Sequence, residues 1–175
     1  NVTCCRLPGT DGKAKMSKSL GNCIYLSDTS KEIKKKVNSM FTDPEHLQIT
    51  DPGHVEGNVV FTYLDAFSND EHFAKYLPEY ANLDEMKDHY RRGGLGDGTC
   101  KKFLFNIMEE FLQPMRERRK QYEQNIPQVY EILRKGSEAA RAEAAKTLAD
   151  VRKAMKIDYF DDADLIAEHT KKYQG

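Results

Sequence analysis

The chain has 175 residues, enough for one domain with a real core plus an appendage. Its 31% charged and 39% hydrophobic residues, with eight Phe beside nine Tyr, exclude an intrinsically disordered chain, and a net charge of -1 argues against a generic nucleic-acid coat protein. No apolar run approaches the roughly 18 residues of a membrane span, and the first residues lack the order of a signal peptide, so the expectation is a cytoplasmic protein without membrane association.

In chain order, the run NVTCCRL predicts a short strand around residues 2–4, ending at Pro8-Gly9. A strand with no sequence neighbour to pair with suggests the border of a larger domain. The stretch GTDGKAKMSKSLGN, Gly9 to Asn22, reads as a basic loop with nothing apolar to hold it, mobile from Gly12 to Asn22. Ser27, Asp28 and Ser30 are candidate N-caps for a helix over SKEIKKKVNSMF, with Ile33, Val37, Met40 and Phe41 facing inward and Lys34, Lys35 and Lys36 facing solvent.

TDPEH and TDPGHVEG then form turns. GNVVFTYLDAF predicts a helix burying Val59, Val60, Tyr63, Leu64 and Phe67, and two short helices follow in DEHFAKYL and LDEMKDHYRRG, the second stopped by Gly93-Gly94. The longest element, residues 97–125, repeats Phe103, Leu104, Ile107, Met108, Phe111, Leu112 and Met115 at three- and four-residue steps, with a bend expected at Pro114. A helix opening at Pro127 and ending at Gly136, a separate alanine-rich helix after it, and a last helix or a frayed tail complete the chain.

The four cysteines, Cys4, Cys5, Cys23 and Cys100, have no metal-ligand spacing and read as reduced thiols. No metal site is expected. The five histidines are scattered and none is assigned a catalytic role, with His54 placed in a capping turn; no catalytic carboxylate pair is suggested either.

Lys15-Met16-Ser17-Lys18-Ser19 places two lysines three apart among hydroxyls and glycines, a composition suited to gathering a polyphosphate. It lacks the spacing of a Walker A loop, and charge alone leaves a solvated linker equally open. The five letters KMSKS, however, resemble without substitution the second signature of class I aminoacyl-tRNA synthetases. The resemblance implies that the loop closes over ATP and that Lys15 and Lys18 stabilise departing pyrophosphate, with Ser17 and Ser19 shaping the phosphate path and Met16 packing the loop.

Further segments extend the resemblance: MFTDP, DPGHVEGNVVFTYLD, YRRGGLGDGTCKK and PMRERRKQYEQN, with the loop, are similar to the bacterial tryptophanyl-tRNA synthetase branch over most of residues 9–158. The tyrosyl branch is the near alternative. The family's other signature, His-x-Gly-His, does not occur in the chain, and Gly53-His54 follows KMSKS where that signature should precede it. What the resemblance implies is the C-terminal part of a tryptophan–tRNA ligase, inactive by itself. It would comprise a remnant of the nucleotide-binding fold with the loop at 1–27, a connecting helix and turns at 28–54, and a mainly α-helical anticodon-binding bundle at 55–175.

By the same resemblance the partners are ATP with Mg²⁺, tryptophan and tRNA(Trp), and the parent is a homodimer; no protein ligand set for Mg²⁺ stands out. For tRNA the candidates are Arg91, Arg92, Lys101 and Lys102, which bracket a Gly-rich turn, and Arg118 and Arg119 within RERRK. Solvated helix faces are the competing reading. Tyr90, Tyr122 and Tyr130 are offered for base stacking, with core or boundary packing favoured for each. The reading from another class is a stand-alone helical module for RNA or protein, its lysine loop coincidental.

Overall fold

The computed structural model describes residues 6–174, so the strand expected at residues 2–4, together with Cys4 and Cys5, lies outside the described part. The described residues form seven helices: α1 Ser30–Asn38, α2 Val59–Phe67, α3 Asp70–Tyr76, α4 Leu83–Arg92, α5 Asp97–Glu123, α6 Ile126–Ala154 and α7 Ala163–Tyr173. Extended pairing among the described residues is one antiparallel bridge, between Pro8 and Lys15. The fold is mainly α, as the hydrophobic spacing predicts. It divides into two compact units, residues 1–120 and 121–175.

In the first unit, α1 begins at Thr29, whose hydroxyl accepts from the Glu32 backbone N–H while the Glu32 carboxylate accepts from the Thr29 backbone. This reciprocal box places the cap at Thr29, between the expected candidates Asp28 and Ser30 and two residues after Ser27. Asp28 is instead buried, accepting from the Tyr25 backbone N–H at 2.8 Å and pairing with Lys36. Lys36 is therefore not a solvent lysine: its ammonium also lies 4.4 Å from the centre of the Tyr25 ring. Beyond the end of α1 at Asn38, Met40 is buried as expected but Phe41 is exposed.

α2, capped by Asn58, buries Val59, Val60, Phe61, Tyr63 and Leu64. Phe67, expected in the core, is half-buried, 5.3 Å from the Phe111 ring. α4 ends at Gly93, whose φ of 82° lies in the left-handed region that favours glycine, so the expected stop is observed. The core closes around Tyr90: its ring packs at a tilt against those of Phe61 and His46, and its hydroxyl donates to Asp97 at 2.8 Å and accepts from Asn58 at 3.3 Å. Burial, followed by the Asp97 contact, pushes the Tyr90 phenol far above its usual range. Its role is packing, not base stacking.

α5 lays Cys100, Phe103, Leu104, Ile107, Met108 and Leu112 into the same core and continues through Pro114, which cannot donate to the carbonyl one turn back. Cys23 and Cys100 are free and buried, and burial pushes the Cys100 thiol up to about 12, which keeps it protonated and inert.

The second unit corrects one boundary. Gly136 does not end a helix, since α6 runs unbroken from Ile126 to Ala154. A glycine inside a helix costs only about 1 kcal/mol against alanine, and the ion pairs of Arg134 and Lys135 with Glu131 lie just before it while that of Arg134 with Glu138 spans it. The tail forms α7, with Asp162 accepting from the Leu165 backbone N–H as its cap.

Candidate functional site

The loop that carries both lysines is built on its own backbone. Gly9 N–H donates to Ala14 at 2.7 Å, Thr10 N–H to the Asn22 carbonyl at 3.0 Å, and Phe41 N–H to Thr10 at 2.9 Å, so the loop's base is tied to the chain beyond α1. Tyr63 of α2 reaches the same base, its hydroxyl donating to the Pro8 carbonyl at 2.8 Å. Met16 packs against the hydrophobic core, so the loop has an apolar anchor that its composition does not reveal, although the resemblance implies Met16 packing there.

Within the loop the side chain of Asn22, only 3% exposed, bonds to three neighbours along the loop. Its oxygen accepts from the Ser17 backbone N–H at 2.8 Å, and its amide nitrogen donates to Asp11 Oδ1 at 3.1 Å and to the Lys15 carbonyl at 3.2 Å. The bond from Asn22 is the largest influence on Asp11, holding its carboxyl below the usual value. Ser17 and Ser19 share a hydrogen bond of 2.8 Å between their hydroxyls, and Gly21 N–H donates to the Lys18 carbonyl at 3.2 Å. Lys15 and Lys18 are exposed, and among the described residues neither ammonium has a hydrogen-bond or ion-pair partner.

Beside the loop an open cleft of about 280 Å³ is lined by Arg6, Pro8, Gly12, Lys13, Ala14 and Lys15. Three of those six residues are cations, which makes the cleft attractive to an anion. The sequence pattern does not single out Arg6 and Lys13, because only folding the loop back at the Pro8–Lys15 bridge brings Arg6 to Lys15.

The candidate RNA-binding residues divide by their surroundings. Arg91 is paired with Glu56 at 2.9 Å and Asp88 at 3.2 Å, and Lys101 donates to the Asn38 carbonyl at the end of α1 at 3.0 Å. Arg92 lines a cleft with Glu79, Glu85 and Asp88, an acidic setting. Lys102 and Arg118 are exposed and have no ion-pair or hydrogen-bond partner among the described residues, whereas Arg119 is also exposed but has an interaction of its own. Arg116, on the same helix end, is held by Glu109 and reaches the Asp28 carbonyl at 3.4 Å. Tyr122 and Tyr130 are exposed, at 48% and 70%.

Asp43, Glu45 and His54 bring three potential metal-ligand atoms within 4.8 Å of one another. His54 donates its backbone N–H to Asp43 at 2.7 Å, and its Nδ1 lies 2.9 Å from the same carboxylate oxygen. The two contacts between His54 and Asp43 tie their turns together as a hydrogen-bonded clasp. Among the described residues no helix is long and apolar enough to cross a membrane.

Comparison with known proteins agrees with the motif. The family model described as tRNA synthetases class I (W and Y) matches residues 2–113. The tryptophan–tRNA ligase of Clostridium longisporum is 57% identical over 157 residues, which is 90% of this chain and 43% of that protein. The tryptophan–tRNA ligase of Streptococcus pyogenes is 53% identical over 89% of this chain and 44% of its own length. Among solved structures, a tryptophanyl-tRNA synthetase from Campylobacter jejuni complexed with ADP and tryptophan aligns with a TM-score of 0.68 at 26% identity, covering 89% of this chain and 45% of that one. The chain thus spans a little under half the length of these relatives. With its KMSKS pentapeptide on a folded loop and the family model matching well over half its residues, the chain belongs to the class I tRNA synthetases of the tryptophan and tyrosine type.

Proposed function

We propose that this chain provides the KMSKS loop and the tRNA-reading helices of a cytoplasmic tryptophan–tRNA ligase that forms tryptophanyl-adenylate from ATP and transfers tryptophan to tRNA(Trp). The observation that carries the proposal is the KMSKS loop itself, with the exposed ammonium groups of Lys15 and Lys18 beside a cationic cleft. In adenylation the tryptophan carboxylate attacks the α-phosphorus of ATP, the bond to the bridging oxygen breaks, and pyrophosphate leaves with the electron pair. Lys15 and Lys18 neutralise charge as it gathers on that leaving group, with Ser17 and Ser19 lining its path and Met16 seating the loop. Mg²⁺ carried by the ATP would add to this neutralisation at the same phosphates.

In this reading residues 1–27 end the catalytic domain, 28–54 connect it, and 55–175 form the anticodon-binding helices. The RNA contacts are drawn from Arg91, Arg92, Lys101, Lys102, Arg118 and Arg119, of which Lys102 and Arg118 present the least committed charges. The intact enzyme acts as a homodimer. Tryptophan is preferred to tyrosine as substrate because the relatives at 57% and 53% identity are both tryptophan–tRNA ligases. Amino-acid-dependent exchange of labelled pyrophosphate into ATP by the intact protein tests this: tryptophan supports exchange and tyrosine does not. Exchange with tyrosine alone would move the chain to the other branch, and exchange with neither would remove the activity.

A further inference from the structure

We propose that Asn22 is a positioning residue for the lysine loop, holding Lys15 and Ser17 in the register from which the loop closes on pyrophosphate; this rests on the adenylation reading above. A carboxamide offers an acceptor oxygen and two N–H donors, and Asn22 turns all of them inward. Asp11 fixes which way round the amide sits: a carboxylate accepts only, so the amide nitrogen turns to it and the oxygen turns to Ser17. The two remaining bonds span Lys15-Met16-Ser17, one on the Lys15 carbonyl and one on the Ser17 N–H, and so brace the backbone on both sides of Met16, at the Lys15 end of the segment between the two lysines.

The brace is buried while its cargo is not. Asn22 is 3% exposed, whereas Lys15, Lys18 and Ser19 are exposed. Bonds to a buried side chain limit the conformations the loop samples before closure, and so lower the entropy lost when the lysines meet the leaving group. Gly9 makes room for it. A Cβ at Gly9 would stand 2.1 Å from the Asn22 amide nitrogen and 2.8 Å from Asp11 Oδ1, so a side chain there expels the brace without any change to Asn22 itself.

The test uses the intact enzyme and three variants: Asn22→Ala, Asn22→Asp, which keeps the shape but sets a carboxylate against Asp11 and the Lys15 carbonyl, and Gly9→Ala. Each is expected to lower kcat for tryptophan-dependent pyrophosphate exchange at least about tenfold per active site, with the KM for tryptophan within about twofold of wild type. In parallel, hydrogen exchange at the Ser17 amide should accelerate at least about tenfold in each folded variant while amides of α5 keep their protection. Wild-type kcat in the variants, or an unchanged Ser17 exchange rate, overturns the positioning role. An equal loss in kcat and rise in tryptophan KM with α5 also deprotected overturns it in favour of general destabilisation. A wild-type enzyme that exchanges no pyrophosphate contradicts the adenylation reading itself, whereas an active wild type with unaffected variants contradicts only the role of Asn22.

Discussion

At the scale of single residues, most charges that decide local geometry are those that are paired, and His54 is the clearest titratable case. Burial pushes the Asp43 carboxyl up, but the backbone N–H groups of Glu45 and His54 and the imidazole outweigh it and leave the group below the ordinary carboxylate value. The hydrogen bond to Asp43, then the charges of Asp43, Glu45 and Glu56, raise His54 above its ordinary 6.5. The sign follows from linkage: His54 contributes its stabilisation fully below pH 6.5 and loses it as pH rises through its elevated folded value, while the Asp43 side is present above its unfolded value of 3.8 and is lost as pH falls through the depressed one. An NMR titration of the His54 ring should therefore show a midpoint above 6.5. His54→Asn should flatten the dependence of melting temperature on pH between about 6 and 8. A midpoint at or below 6.5 would mean that the clasp does not form in solution.

At the scale of elements, α6 offers the sharpest check because sequence pattern and structure disagree there. A Cβ at Gly136 meets nothing within 4 Å, and the residue sits in the helix interior. Gly136→Ala should raise stability by about 0.5–1 kcal/mol, read from denaturant unfolding followed by far-UV circular dichroism. A loss of stability would instead indicate a left-handed helix end at Gly136. The helices α2 to α5 are legible in the sequence because burial imposes the three- and four-residue spacing of Val59, Val60, Tyr63 and Leu64 and of Phe103, Leu104, Ile107 and Met108. The start of α1 is blurred by adjacent capping candidates, and only Glu32 three residues on distinguishes Thr29. Lys15 and Lys18 are legible as a motif, but the brace beneath them is not, since Asn22 meets Asp11 and Lys15 only after the loop has folded back. Its one local signal is an asparagine closing a Gly-rich loop, where such side chains bond to backbone.

At the scale of the whole molecule, the proposed chemistry separates a phosphate loop near the start of the chain from basic helix surfaces further on. In the intact enzyme, Lys102→Ala and Arg118→Ala should weaken tRNA(Trp) binding and reduce the slope of log affinity against log salt by about one unit for each phosphate no longer neutralised. Unchanged slopes would return both residues to ordinary solvated surface. The central claim is that the KMSKS lysines act on the leaving pyrophosphate, and its most direct test is Lys18→Ala in the intact enzyme, assayed by tryptophan-dependent pyrophosphate exchange. The account predicts a fall in kcat of about 10²–10³ with the KM for tryptophan nearly unchanged, as for removal of one group that stabilises transition-state charge. Wild-type kcat in the Lys18→Ala enzyme would contradict it.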